Sequence, residues 1–295
     1  MKKLIFAAAV CGLVITSCSK TEPLTDPEDD GGLKVDTVWH DSITISFVPA
    51  FEVEVDPMLS RTRGGIGDVM TRLDVWIIQG ADTTAVHQSS ADSGFGTVAL
   101  AVNKTKEYTM KAVAHKCTTE AEMRGGVVSF TPGEMKHVAY AEHTFKPDTI
   151  SGQLAVDMNR IVGMFKFATT DAIPESVYTM RFCIKNSPQQ FNTSTLTGTA
   201  AADRTVEFSG FSRKNDGTAA FTLYVLPDDL TAQHAYDVEV TALDDKGATI
   251  ESRTFSDVPI RANYRTSYQG TFFVSKSASF SFTIGDWNDF DPVTF

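Results

Sequence analysis

Residues 42–48 read Ser-Ile-Thr-Ile-Ser-Phe-Val, which puts Ile43, Ile45 and Phe47 on one side of an extended chain and Ser42, Thr44 and Ser46 on the other. A period of two marks a strand buried on one face. The same alternation returns at Leu73, Val75 and Ile77, at Val98, Leu100 and Val102, and at Tyr108, Met110, Ala112 and Ala114, with further strands at 127–130 and 137–141. No long stretch shows the 3.6-residue period of an amphipathic helix, so the chain is expected to be all-β. The abundant threonine suits the solvent side of such strands, because its branched Cβ favours extended backbone.

Between the two halves, Phe-Lys-Pro-Asp-Thr-Ile-Ser-Gly at 145–152 interrupts the pattern, and a second series opens with Leu154, Val156 and Met158. Residues 177–185 are expected to point Tyr178, Met180, Phe182 and Ile184 one way and Arg181, Cys183 and Lys185 the other. Strands follow at 205–211, 219–226, 236–243, 249–255, 266–274 and 278–284, and Asp245-Lys246-Gly247 supplies a hairpin turn. Six or seven strands per half suffice for one sandwich each. The expected architecture is two tandem β-sandwiches, at 36–147 and 148–295.

The first 35 residues are of another kind. Met1-Lys2-Lys3 precedes an apolar run from Leu4 to Ile15 that is too short to span a bilayer, as in a secretory signal. It ends in Ile15-Thr16-Ser17-Cys18, which resembles the bacterial lipobox. That resemblance implies removal of residues 1–17 and acylation of Cys18, with several chains holding the protein on the outer membrane. Residues 18–35, rich in acids, Pro and Gly, read as a flexible tether. Only Cys117 and Cys183 remain after Cys18, so no disulfide framework is encoded.

Charge narrows the partners. The 295 residues hold 26 Lys and Arg against 37 Asp and Glu, a net charge of -11, with no basic cluster, so nucleic acid is not an expected partner. Catalytic signatures are missing: there is no nucleophile elbow, zinc-protease motif, phosphate loop or dinucleotide fingerprint. His137 and His143 are scattered rather than arranged around a metal, and the pairs Asp228-Asp229 and Asp244-Asp245 sit in turn contexts. No enzyme activity, cofactor or metal is expected. Trp39, Trp76 and Trp287 are the candidates for contact with a glycan.

Two stretches resemble the fimbrillin family of type V pili. Residues 154–177 are similar to the opening strands of that family's C-terminal domain, with an Arg before an apolar strand and Asp-x-Ile-Pro at its end. Residues 257–273 carry the more distinctive Asn-Tyr-Arg-Thr followed by Gly, matched by Arg261, Asn263, Tyr264, Arg265, Thr266 and Gly270. Residues 73–80 are similar to the first strand that family retains after processing. The resemblance implies two transthyretin-like sandwiches, lipoprotein export, and assembly with other fimbrial subunits by donor-strand exchange. It also implies proteolytic maturation after Arg61 or Arg63, which lie in a Gly-containing stretch between two strands. An anchor or minor subunit would instead keep its lipid and its first strand. The alternative is a surface lipoprotein that binds host or bacterial glycans and has no pilus role.

Overall fold

In a computed structural model of the chain, residues 40–49, 66–131, 134–274 and 280–286 are described. The described residues all belong to one compact unit. The first half contributes β1 (His40–Pro49), β2 (Arg72–Gln79), β3 (Asp82–Ser89), β4 (Thr97–Asn103), β5 (Tyr108–His115), β6 (Glu122–Arg124), β7 (Val127–Ser129), β8 (Val138–Phe145) and β9 (Gln153–Arg160). The second contributes β10 (Gly163–Thr169), β11 (Thr179–Ser187), β12 (Gln190–Asn192), β13 (Thr197–Thr199), β14 (Ala202–Ser209), β15 (Ala220–Val225), β16 (His234–Leu243), β17 (Thr249–Ile260), β18 (Tyr264–Gly270) and β19 (Phe280–Asp286). Helix is confined, among the described residues, to the short turns Ile66–Asp68 and Pro147–Thr149. The all-β expectation holds.

The first sandwich comes from a seven-stranded sheet in the order β3-β2-β5-β8-β9-β1-β4. Between β8 and β9 the ladder shrinks to two register pairs, Ala139 with Arg160 and Tyr140 with Asn159. There the sheet turns a corner, and β3-β2-β5-β8 faces β9-β1-β4 across one core. Ile43, Ile45, Phe47, Leu73, Val75, Val98, Met110, Val156 and Met158 meet in that core. In β1, β2, β4, β5 and β9 the residues that meet in this core are the alternating set legible in the sequence.

In the second sandwich, β15-β10-β18-β19 faces β14-β11-β16-β17. Its centre is aromatic. Phe167 meets Phe182, Phe255 and Phe272 edge-on and stacks with Phe280, each at 5.6 Å between ring centres, in the spacing that such pairs prefer. Met180, Phe182 and Ile184 point inward and are fully buried. Tyr178, expected to share that face, lies before β11 and is exposed; its N–H donates to the Leu243 carbonyl and its carbonyl accepts from the Gly210 N–H. The β16–β17 hairpin turns at Gly247, whose φ of +83° is left-handed, while the Asp244 carboxylate accepts from the Lys246 and Ala248 N–H groups.

A small sheet, β13-β12-β7-β6, joins strands from both halves. It covers the outward side of β2 and β5 with a third apolar cluster that includes Trp76, Val113, Val128, Tyr140, Ile161 and Phe191. β2 is therefore buried on both faces, and Asp74 and Trp76, on its polar phase by alternation, are inside.

Candidate functional site

The most functionally suggestive feature is the place β1 occupies. It is the middle strand of β9-β1-β4, antiparallel to β4 over seven register pairs from His40–Asn103 to Ser46–Thr97. On its other side it runs parallel to β9 over six, from Thr44–Gln153 to Pro49–Met158. Ile43, Ile45 and Phe47 descend into the core with 5%, 0% and 4% exposure. Burying each such side chain stabilises by roughly 1.5–3 kcal/mol. Without β1, β9 and β4 would each expose a row of backbone donors and acceptors, and three apolar sockets would lie open between them. That is the geometry in which an added strand is recognised by main-chain bonds and by alternate side chains.

The residues of the Asn-Tyr-Arg-Thr motif build the crossing from β17, in one sheet of the second sandwich, to β18 in the other. Asn263 sits at φ 61°, a left-handed conformation that asparagine tolerates better than most residues. Its N–H donates to the Val162 carbonyl at 3.0 Å, and its Oδ1 accepts from the Arg160 guanidinium at 3.0 Å. The Arg261 guanidinium lies 4.3 Å from the centre of the Tyr264 ring. Thr266, 1% exposed, donates its hydroxyl to the Pro259 carbonyl. Arg265 pairs in register with Met164, and Gly270 ends β18 opposite Thr169. Close packing here requires Gly163, because a Cβ on it would stand 2.6 Å from the Arg261 carbonyl oxygen. These residues hold β18 in place rather than line a cavity.

Asp171, of the Asp-x-Ile-Pro stretch, anchors the approach to β19. Its carboxylate accepts from the backbone N–H of Phe272 at 2.8 Å, of Phe273 at 2.6 Å and of Val274 at 3.1 Å. Charge-assisted bonds of this kind are the stronger ones.

Where the halves meet, polar side chains are set beside the third apolar cluster. Arg204 donates to the carbonyls of Tyr224 and Met135, and the Tyr224 hydroxyl meets His137 Nε2 at 2.6 Å. Burial pushes the Cys117 thiol up to about 11, which leaves it a poor nucleophile. Burial, reinforced by the nearby Arg160 and Lys116 charges, pulls His137 down to about 4 from 6.5. The unfolded chain thus takes up this proton first, and the stability that neutral His137 provides is complete above about pH 6.5 and lost as pH falls toward 4. We expect a loss of roughly 3 kcal/mol across that window, read from urea midpoints at stepped pH. In His137→Asn, which suits the left-handed φ of 39° at this position, the slope should flatten; an unchanged slope would contradict the assignment.

The second feature is a cleft against the outward side of β2. Asp74, fully buried, accepts from His87 Nδ1 at 2.6 Å, His115 Nε2 at 2.7 Å and the Ala121 N–H at 2.9 Å. His115 Nδ1 in turn accepts from the Cys117 N–H at 3.2 Å, which fixes its proton on Nε2. Sequence reasoning missed this arrangement. Its signal was one acid, Asp74, inside the apolar run Leu-Asp-Val-Trp-Ile-Ile.

Cys18, Arg61, Arg63, Trp39 and Trp287 lie outside the described residues. Trp76 is 4% exposed and packs as part of a core. His143 is exposed on β8, whereas His137 rests on Tyr224. Among the described residues no group of three His, Cys, Asp or Glu side chains could hold a metal ion, and no helix is long and apolar enough to cross a membrane.

This arrangement of sandwiches has solved counterparts. A protein assigned to cell adhesion from Bacteroides ovatus superposes with a TM-score of 0.50 at 14% identity, over 86% of this chain and all of that one. An assigned adhesin from Bacteroides thetaiotaomicron matches at 0.49 and 10% identity over 85% and 98%. The fimbrial anchor protein of Porphyromonas gingivalis matches at 0.42 and 11% over 84% and 98%. The fold is thus that of the Bacteroides ovatus protein. By sequence the chain belongs to the family of unknown function DUF6562, matched over residues 136–292. No curated protein matches it by sequence.

Proposed function

We propose that this chain is a cell-surface adhesion protein and a structural component of fimbriae, an anchor or minor subunit held on the outer membrane through acylated Cys18. It acts by binding and not by catalysis, and it joins other fimbrial subunits by strand exchange at the position of β1. The observation that carries this reading is that β1 alone completes both the β9-β1-β4 ladder and the first core. Arg61 and Arg63 follow β1 and precede β2 in the chain, so a cut after either would leave β1 held only by non-covalent contacts. The lipobox resemblance, the Asn-Tyr-Arg-Thr motif and the fold shared with a cell-adhesion protein support it.

The test is the N-terminus of the protein in the outer-membrane fraction, by mass spectrometry, before and after brief exposure to an Arg-specific protease. An acylated Cys18 that persists in the assembled state is the expected result for an anchor. A chain beginning at Thr62 or Gly64 within a polymer would make it a shaft or tip subunit. An unacylated, uncut monomer would overturn the pilus reading.

A further inference from the structure

Between the outward side of β2 and the segment 118–131 lies an open cleft of about 830 Å³, within the roughly 300–1,000 Å³ of small-ligand sites. Its walls are of two kinds. Trp76 and Phe130, 4% and 9% exposed, supply only a small apolar floor, while Arg72, His87, Glu120 and Arg124 supply polar groups.

The polar groups are balanced in charge, and Arg72 and His87 are held in place. Arg72 donates to the Thr118 carbonyl at 2.9 Å and stands 3.8 Å from Glu120. Arg124 pairs with Glu122 at 3.0 Å. His87 is fixed through Nδ1 by the buried Asp74 carboxylate, so the ring nitrogen left for a ligand is Nε2, on a side chain one-third exposed. Each cation has an acid beside it, and the cleft therefore offers no strong field to an anion or a cation. What remains is a set of donors and acceptors above a small apolar floor.

That combination fits a neutral, polyhydroxylated ring. A sugar presents a rim of neighbouring hydroxyls, each donor and acceptor, to carboxylate, guanidinium and imidazole groups, and has little apolar surface to bury. Because Asp74 orients His87 before any ligand arrives, little side-chain freedom is lost on binding. We propose that this cleft binds one or two neutral saccharide units of a surface glycan, with His87 Nε2, Glu120 and Arg124 reading the hydroxyls. This rests on the adhesion half of the function proposed above and is independent of strand exchange.

The test is saturation-transfer NMR on the full chain with the methyl glycosides of glucose, galactose, mannose and N-acetylglucosamine, with N-acetylneuraminic acid as the charged comparator. Saturable binding of at least one neutral glycoside is expected, weakened about tenfold in His87→Ala and about threefold in Arg124→Ala. His87→Gln, which keeps a hydrogen-bonding group, should restore part of it. Arg124 is an exposed side chain, so that variant remains informative should His87→Ala unfold. No saturable binding at tens of millimolar, preference for the acidic sugar, or binding indifferent to both alanine variants would overturn the proposal. Adherence of cells to a glycan-coated surface is scored separately. Adherent cells whose purified protein binds no glycoside would refute the cleft alone, and glycoside binding without adherence would refute the adhesion reading alone.

Discussion

A chain that begins at Ile66 and so lacks β1 is expected to lose cooperative unfolding as a monomer, and a peptide of residues 40–49 added in trans is expected to restore it. Removing β1 exposes the sockets of Ile43, Ile45 and Phe47, worth roughly 5–9 kcal/mol of apolar burial together. It also leaves β9 and β4 without their common partner. Against a typical total stability of about 5–15 kcal/mol, this removes most of what holds the first sandwich. The empty slot is also an invitation to any strand that fits, so the truncated chain should form higher oligomers in the absence of peptide. Thermal melts with increasing peptide should show a concentration-dependent rise, because the peptide binds the folded state alone. The same peptide with Ile45→Asp should fail, since it would carry a charge into a position with no exposure. A truncated chain that melts like the full one would show that β1 contributes little and would remove the ground for strand exchange.

The face that β1 buries could be read from residues 42–48, but its neighbours could not. Alternation assigns a side chain to core or solvent and says nothing about which strand lies alongside. β1 pairs with β9 more than a hundred residues later, and in parallel, a long-range pairing that local pattern cannot encode. β2 shows a second limit. Leu73, Val75 and Ile77 were legible as core, yet Asp74 and Trp76 are buried as well, because β6, β7, β12 and β13 close over them. Those strands have three residues each, too few for a period to emerge, and although 127–130 reads as a strand, the strands that pair with it do not. The Asn-Tyr-Arg-Thr motif is legible in the sequence, whereas its physical basis, a left-handed Asn263 bonded to Arg160, exists only in three dimensions.

Asp74→Ala should be the most damaging single substitution at the cleft, at about 3–5 kcal/mol. The loss has three parts. His87, His115 and the Ala121 N–H all give up their shared acceptor, and in a site with no exposure water does not replace it freely. Asp74→Asn is not a remedy. An asparagine has one acceptor oxygen and must turn its amide N–H₂ toward one of the two imidazoles. His115 cannot accept there, because its Nδ1 already takes the Cys117 N–H and its proton occupies Nε2. Turning the amide toward His87 instead forces that ring to shed its Nδ1 proton and moves a donor to the atom that faces the cleft. Asp74→Asn is therefore expected to fall between wild type and Asp74→Ala in stability, at about 2 kcal/mol, while changing glycoside preference through His87 Nε2. Urea denaturation with an unchanged slope measures the first effect, and the glycoside titrations measure the second. An Asp74→Ala chain within about 1 kcal/mol of wild type would mean that the three donors find other partners, and that Asp74 does not organise the cleft.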